Sequence, residues 1–189
     1  MFGIFGTPIA SRQYAQCLVN EINKYIEVGA EPFLGSISQL LQTVESKHKN
    51  LVHREMFLLL SVTTRFQWID QQFLVFKVNE QIKLAVLRDF QHLLKDQWGD
   101  SILPMFESAN TDYFEPLRQM ASSDYHDYDV DQATAGCAAA YGMFNSRILD
   151  QGGPNLQVEK AMEAIGHVMI GFRRMPLAKK HNYKQVRLS

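Results

Sequence analysis

Nine carboxylates stand between Asp96 and Asp131, at Asp96, Asp100, Glu107, Asp112, Glu115, Asp124, Asp127, Asp129 and Asp131, against a single base, Arg118. The densest part, Asp124-Tyr125-His126-Asp127-Tyr128-Asp129-Val130-Asp131, alternates oxygen and imidazole donors. Divalent cations take those ligand types. A calcium loop counted from Asp127 would place acids at its positions 1, 3 and 5. Its sixth position is then Gln132, where the turn requires glycine, and its twelfth is Ala138, where a bidentate glutamate belongs, so an EF-hand is excluded.

The dipeptide His126-Asp127 resembles the His-Asp pair of the HD-type phosphohydrolases, all-helical enzymes in which histidines and aspartates from several helices hold one or two metals. The resemblance implies that His126 and Asp127 are metal ligands and that a metal-activated water is the nucleophile. Further ligands would have to come from His48, His53, His92, His167 or Asp150, and their spacing singles out none of them. The ordinary reading places Asp127, Asp129 and Asp131 at or before the first turn of a following helix. Carboxylates there accept bonds from unpaired amides and oppose the positive end of the dipole. A third reading makes Asp124, Asp127, Asp129 and Asp131 an acidic docking surface for a basic partner.

The carboxyl end has the opposite sign. Residues 173 to 189 carry six bases, Arg173, Arg174, Lys179, Lys180, Lys184 and Arg187, and no acid, in a chain whose formal charge is −1. A solvated, flexible tail accounts for this, with the first two arginines suiting the end of a helix. Arg173, Arg174, Lys179 and Lys180 are also the candidates for docking onto the acidic stretch of the same or a second copy. Binding of nucleic acid or lipid phosphates is the weaker alternative, because the chain as a whole has no basic field.

The small-residue run from Ala133 to Gly142 puts Gly136 and Ala140 on one helix face with Ala133, where another backbone can approach closely. A tight crossing within the chain is the default; a homodimer seam or a slot for an apolar ligand would use the same gap. Cys17 and Cys137 lie 120 positions apart with no paired CxxC spacing and read as free, buried thiols. No nucleophile elbow, P-loop, dinucleotide fingerprint or HExxH motif occurs. No cofactor is therefore expected.

The elements that must position these groups are helical. The chain has 189 residues, 46% hydrophobic and 21% charged, with 11 glycines and 6 prolines, the composition of one soluble globular domain. A first helix is expected from Ser11 to near Gly29, on Tyr14, Leu18, Ile22 and Tyr25. A second runs from about Ser36 on Ile37, Leu41 and Val44, with Lys47, His48 and Lys49 in its last turn, where positive charge suits the dipole. From 53 to 77 the seam Leu59, Val62, Phe66, Ile69, Phe73 and Phe76 keeps unbroken three-four spacing. The helix from Glu80 to Trp98 has a stripe wide enough for two neighbours and is expected near the middle of the bundle. Prolines 104 and 116 predict an irregular, loop-rich segment at about 99 to 129. A fifth helix from 130 to 149 stops at Gly152-Gly153-Pro154, and a sixth is expected from 155 to 172.

The fold expected is an all-α, single-domain helical bundle of five or six main helices, mostly antiparallel, over residues 1 to 172, followed by the tail. The longest purely apolar run, Met56 to Leu60, is far too short to cross a bilayer, and the amino end lacks the basic residues of a signal peptide. A cytoplasmic setting is expected. The function expected is that of a non-catalytic protein-protein interaction or regulatory protein, self-associating as a homodimer. A metal-dependent hydrolase at His126 and Asp127 and a bundle holding an apolar small ligand are the alternatives.

Overall fold

Apolar residues recur every three or four positions through most of the chain, and the computed structural model places them in helices. It describes residues 9–27, 42, 44–71, 79–122, 130–156 and 186–187. The helices are α1 (Ser11–Glu27), α2 (Ser46–Thr64), α3 (Glu80–Trp98), α4 (Ile102–Ser122) and α5 (Val130–Asp150). A π-helical segment, Arg65–Gln71, continues α2. The only strands among the described residues are β1 (Ile9–Ala10) and β2 (Val186–Arg187), a two-residue parallel pair with Ile9 opposite Val186. The architecture is an all-α helical bundle. No helix among the described residues is long and apolar enough to cross a membrane.

Helix α2 is the centre. Every residue from Glu55 to Thr64 is buried, so this helix is covered all round, by α1, α4 and α5. The expectation that α3 holds the middle is corrected: α3 packs mainly on α1 and leaves Leu84 56% exposed. Buried side chains from all five helices form one core, with Tyr14, Leu18 and Ile22 from α1, Val86, Phe90 and Leu94 from α3, and Phe144 and Ile148 from α5.

Where α2 gives way to the wider π turns, three hydroxyls in succession bond back to carbonyls four residues earlier. Ser61 donates to the Phe57 carbonyl at 2.7 Å, Thr63 to Leu59 at 2.8 Å and Thr64 to Leu60 at 2.8 Å. Such back-bonding competes for the acceptors of the α-helical ladder and bends it. The change of period lets Trp68 and Ile69 both reach the core.

The loop-rich segment expected at 99 to 129 is corrected too. A single 21-residue helix, α4, runs through most of it with Pro116 inside. Its buried positions, Ile102, Phe106, Ala109, Tyr113, Pro116 and Leu117, follow the same three-four spacing as the other seams. Pro104 falls in the first turn, where a missing N–H costs nothing. Pro116 removes one ladder bond, and burial of the seam on α2 and α5 outweighs that loss. Lys47, His48 and Lys49 are likewise displaced from the expected end of a helix to the beginning of α2, since the helix starts at Ser46. The expected helix from 155 to 172 lies outside the described residues, except for its first two positions.

Candidate functional site

A glutamate on an apolar seam must find partners or pay the full cost of desolvation. Glu55, four residues before Leu59, is wholly inaccessible to solvent. Its Oε1 accepts from Arg147 Nε at 2.5 Å and from the Tyr113 hydroxyl at 3.0 Å, and Gln151 Nε2 lies 3.5 Å from its Oε2. Arg147 reaches further with the rest of its fork. Nη1 donates to Asp112 Oδ2 and, at 3.0 Å, to Ser108 Oγ, while Nη2 lies 3.4 Å from the Met105 carbonyl. The guanidinium also sits 5.9 Å from the centre of the Tyr113 ring. One cation thus ties α2, α4 and α5 together.

The electrostatics follow from this closure. Burial opposes the charge on Arg147, but the bonds to Glu55 and Asp112 outweigh it and hold the guanidinium above its ordinary pKa. Burial, then the neighbouring Glu55 charge, pushes the Tyr113 phenol well above its usual value. The folded protein therefore keeps a proton that the unfolded chain gives up near pH 10. That contribution is complete below pH ~10 and is lost as pH rises through the folded-state value. Tyr113→Phe should cost about 1–3 kcal/mol at pH 7, because it strips a donor from a buried carboxylate. Above pH ~10 the wild type should lose stability faster than the variant, narrowing the gap. Urea titrations at pH 7, 9 and 11 measure this, and a gap that stays constant would contradict it.

Chemically, the cluster is a clamp. Glu55 already accepts from its neighbours and has no route to solvent, so it is not placed as a base toward a substrate. The signals that mark it in the sequence are the acid on the α2 seam at Glu55 and the base beside the α5 seam at Arg147, one residue before Ile148.

A second polar grouping lies where the chain turns from α3 into α4. Asn50, His53 and Arg54 of α2, with Trp98, Ser101 and Ile102, border a cavity of about 400 Å³. His53 meets Trp98 edge-on at 5.8 Å between ring centres. Arg54 Nη2 donates to Gln151 Oε1 at 2.6 Å, so this cavity and the Glu55 clamp share Gln151.

Of the residues singled out in the sequence, Asp124, His126, Asp127, Asp129, Arg173, Arg174, Lys179 and Lys180 lie outside the described residues. Asp131 falls in the first turn of α5, as the capping reading expects of its position. Among the described residues no group of three or more His, Cys, Asp or Glu is placed to hold a metal. Gly136 and Ala140 are buried on α5, which packs more extensively on α4 than any other described pair of helices does. Cys17 and Cys137 are half-buried, and burial raises both thiols above their usual pKa. No protein-family model, curated protein or solved structure matches the chain.

Proposed function

We propose that this is a non-catalytic helical interaction protein that associates with a second copy of itself in the cytoplasm. The observation that carries this reading is an apolar ledge on the outside of α3, α4 and the π segment. Phe114 of α4 is 49% exposed and packs edge-on against half-buried Phe66 at 5.8 Å. Gln91 of α3 bonds Glu107 of α4 at 2.7 Å, and Leu84 and Phe114 each lie seven residues from that contact, in the same direction along antiparallel helices. Seven residues are about 10.5 Å of helix, so Leu84 and Phe114 stand at about one level along their helices, with Phe66 against Phe114.

The rim of the ledge carries both signs. Lys83 pairs with Asp70 at 3.2 Å, and Arg65 with Glu107 at 3.3 Å. A rim of alternating charge is self-complementary under a twofold axis, the commonest symmetry of homo-oligomers. The acidic run at Asp124, Asp127, Asp129 and Asp131 and the bases Arg173, Arg174, Lys179 and Lys180 supply further opposite charges for a second copy to meet. Two cysteines 120 positions apart, with no paired CxxC spacing, agree with a reducing compartment.

Size-exclusion chromatography with light scattering tests the proposal. The wild type should run as a dimer at high micromolar concentration, and Phe114→Glu as a monomer with unchanged helical circular dichroism. A wild-type monomer at that concentration would refute self-association.

A further inference from the structure

Helices ordinarily begin with acids and end with bases, since the amino end of the dipole is positive. Helix α2 does the reverse. Its opening, Ser46-Lys47-His48-Lys49-Asn50-Leu51-Val52-His53-Arg54, carries three fixed positive charges and two histidines, with no acid in its first turn. The residue preceding it, Glu45, makes no side-chain capping bond to the helix and is instead engaged by Lys47 at 2.9 Å. Positive charge placed against a dipole lowers stability, and a local rule broken in this way marks a place where the chain serves something other than its own folding.

Two of those residues, His53 and Arg54, border the cavity of about 400 Å³ described above. Asn50 and Arg54, four apart on α2, border it, and Lys47 lies on the same face one turn earlier. Its far wall, Ser101 and Ile102, is the start of α4, so the amino end of that helix opens on it. Arg54 Nε and Trp98 Nε1 are buried N–H groups of lining residues, and neither has an acceptor. Of the two carboxylates next to lining residues along the chain, Asp100 is held by Lys95 at 2.8 Å and Glu55 by Arg147 at 2.5 Å. Leu51, Ile102 and the Trp98 ring supply an apolar wall.

We propose that this cavity binds a small organic phosphate, a phosphomonoester carried on an apolar or aromatic body. The donors exceed what the two oxygens of a carboxylate can accept: Nε of the Arg54 guanidinium, the Trp98 indole N–H, the Asn50 side-chain amide and the Ser101 hydroxyl. A phosphate dianion, with three terminal oxygens, matches both their number and their sign. The apolar wall takes the body of the ester. This site is independent of the ledge at Phe114 and does not rest on self-association.

Phenyl phosphate is the probe, with benzoate as the comparison, read by isothermal titration and by tryptophan fluorescence of the full-length protein. The wild type should bind phenyl phosphate saturably with a Kd below about 1 mM and benzoate at least tenfold more weakly. Asn50→Asp and Lys49→Glu, both at exposed positions, place acids where the dipole favours them. Each variant should melt at the wild-type temperature or up to ~4 °C higher, and should bind phenyl phosphate at least fivefold more weakly. Stability and binding would then move in opposite directions, which a purely structural role for these residues does not produce. Absence of saturable binding by the wild type, equal affinity for benzoate, or undiminished binding by Asn50→Asp would each overturn the proposal.

Discussion

Arg147→Met should destabilise the protein by about 3–5 kcal/mol, which urea denaturation at pH 7 would measure. The reason is an asymmetry in buried ion pairs. A pair taken from water costs nearly as much in desolvation as it returns in attraction, but removing one member leaves the other buried and uncompensated. Glu55 is fully inaccessible, and among the described residues Arg147 is its only cationic partner. Tyr113 and Gln151 would remain as neutral donors, too few for a full charge. The double variant Glu55→Gln, Arg147→Met removes both charges and should recover more than half of the loss. A single-variant cost below 1 kcal/mol would mean that the clamp contributes little to the fold. A double variant no more stable than the single would mean that the loss comes from packing of the arginine stem rather than from charge.

The second large effect is expected on α4, where two phenylalanines eight residues apart have opposite fates. Phe106 is fully buried, 6.1 Å from the Phe90 ring, with the Arg65 guanidinium 5.9 Å from its own ring centre. Phe114 is half exposed. Phe106→Ala removes a core side chain and leaves a cavity, a loss of about 3–5 kcal/mol. For a chain of this length that corresponds to a fall in Tm of roughly 6–20 °C. Phe114→Ala, measured at a concentration where the protein is monomeric, should change stability by about 0.5 kcal/mol or less. Comparable losses from the two substitutions would contradict the placement of α4 against α2.

Most of the helices can be read from periodicity alone, because α1, α3 and α5 have apolar stripes interrupted by nothing except polar outer faces. Helix α4 escapes that reading because its seam is written in mixed letters. Ala109, Tyr113 and Pro116 hold seam positions, and two prolines are taken as breaks although one sits harmlessly in the first turn. The opening of α2 is misread for a related reason. Lys47, His48 and Lys49 look like the end of a helix by the dipole rule, and the structure puts them at a beginning, against that rule. The inward-facing polar residues are half legible. Glu55 sits in phase with Leu59 and Val62, so its burial follows from the seam. That its partner is Arg147, 92 positions later, depends on how α2 and α5 cross, which local spacing does not encode. The acidic run at 124 to 131 draws attention by charge density, whereas the densest polar network among the described residues carries two acids and one base and leaves no trace in composition.

The π segment has a bearing on length variation between relatives of this chain. A helix that spends more than 3.6 residues on a turn holds, in effect, one residue more than its rise requires. Removing a residue from Arg65–Gln71 lets the ladder revert to its ordinary pitch, so the helix can absorb the change locally. The same deletion within 55 to 62 would turn every following side chain by about 100°, carrying Val62 and the rest of the seam away from the core. Gains and losses of single residues in this part of the chain should therefore collect at 65 to 71, and an alignment of related sequences should open its gap there.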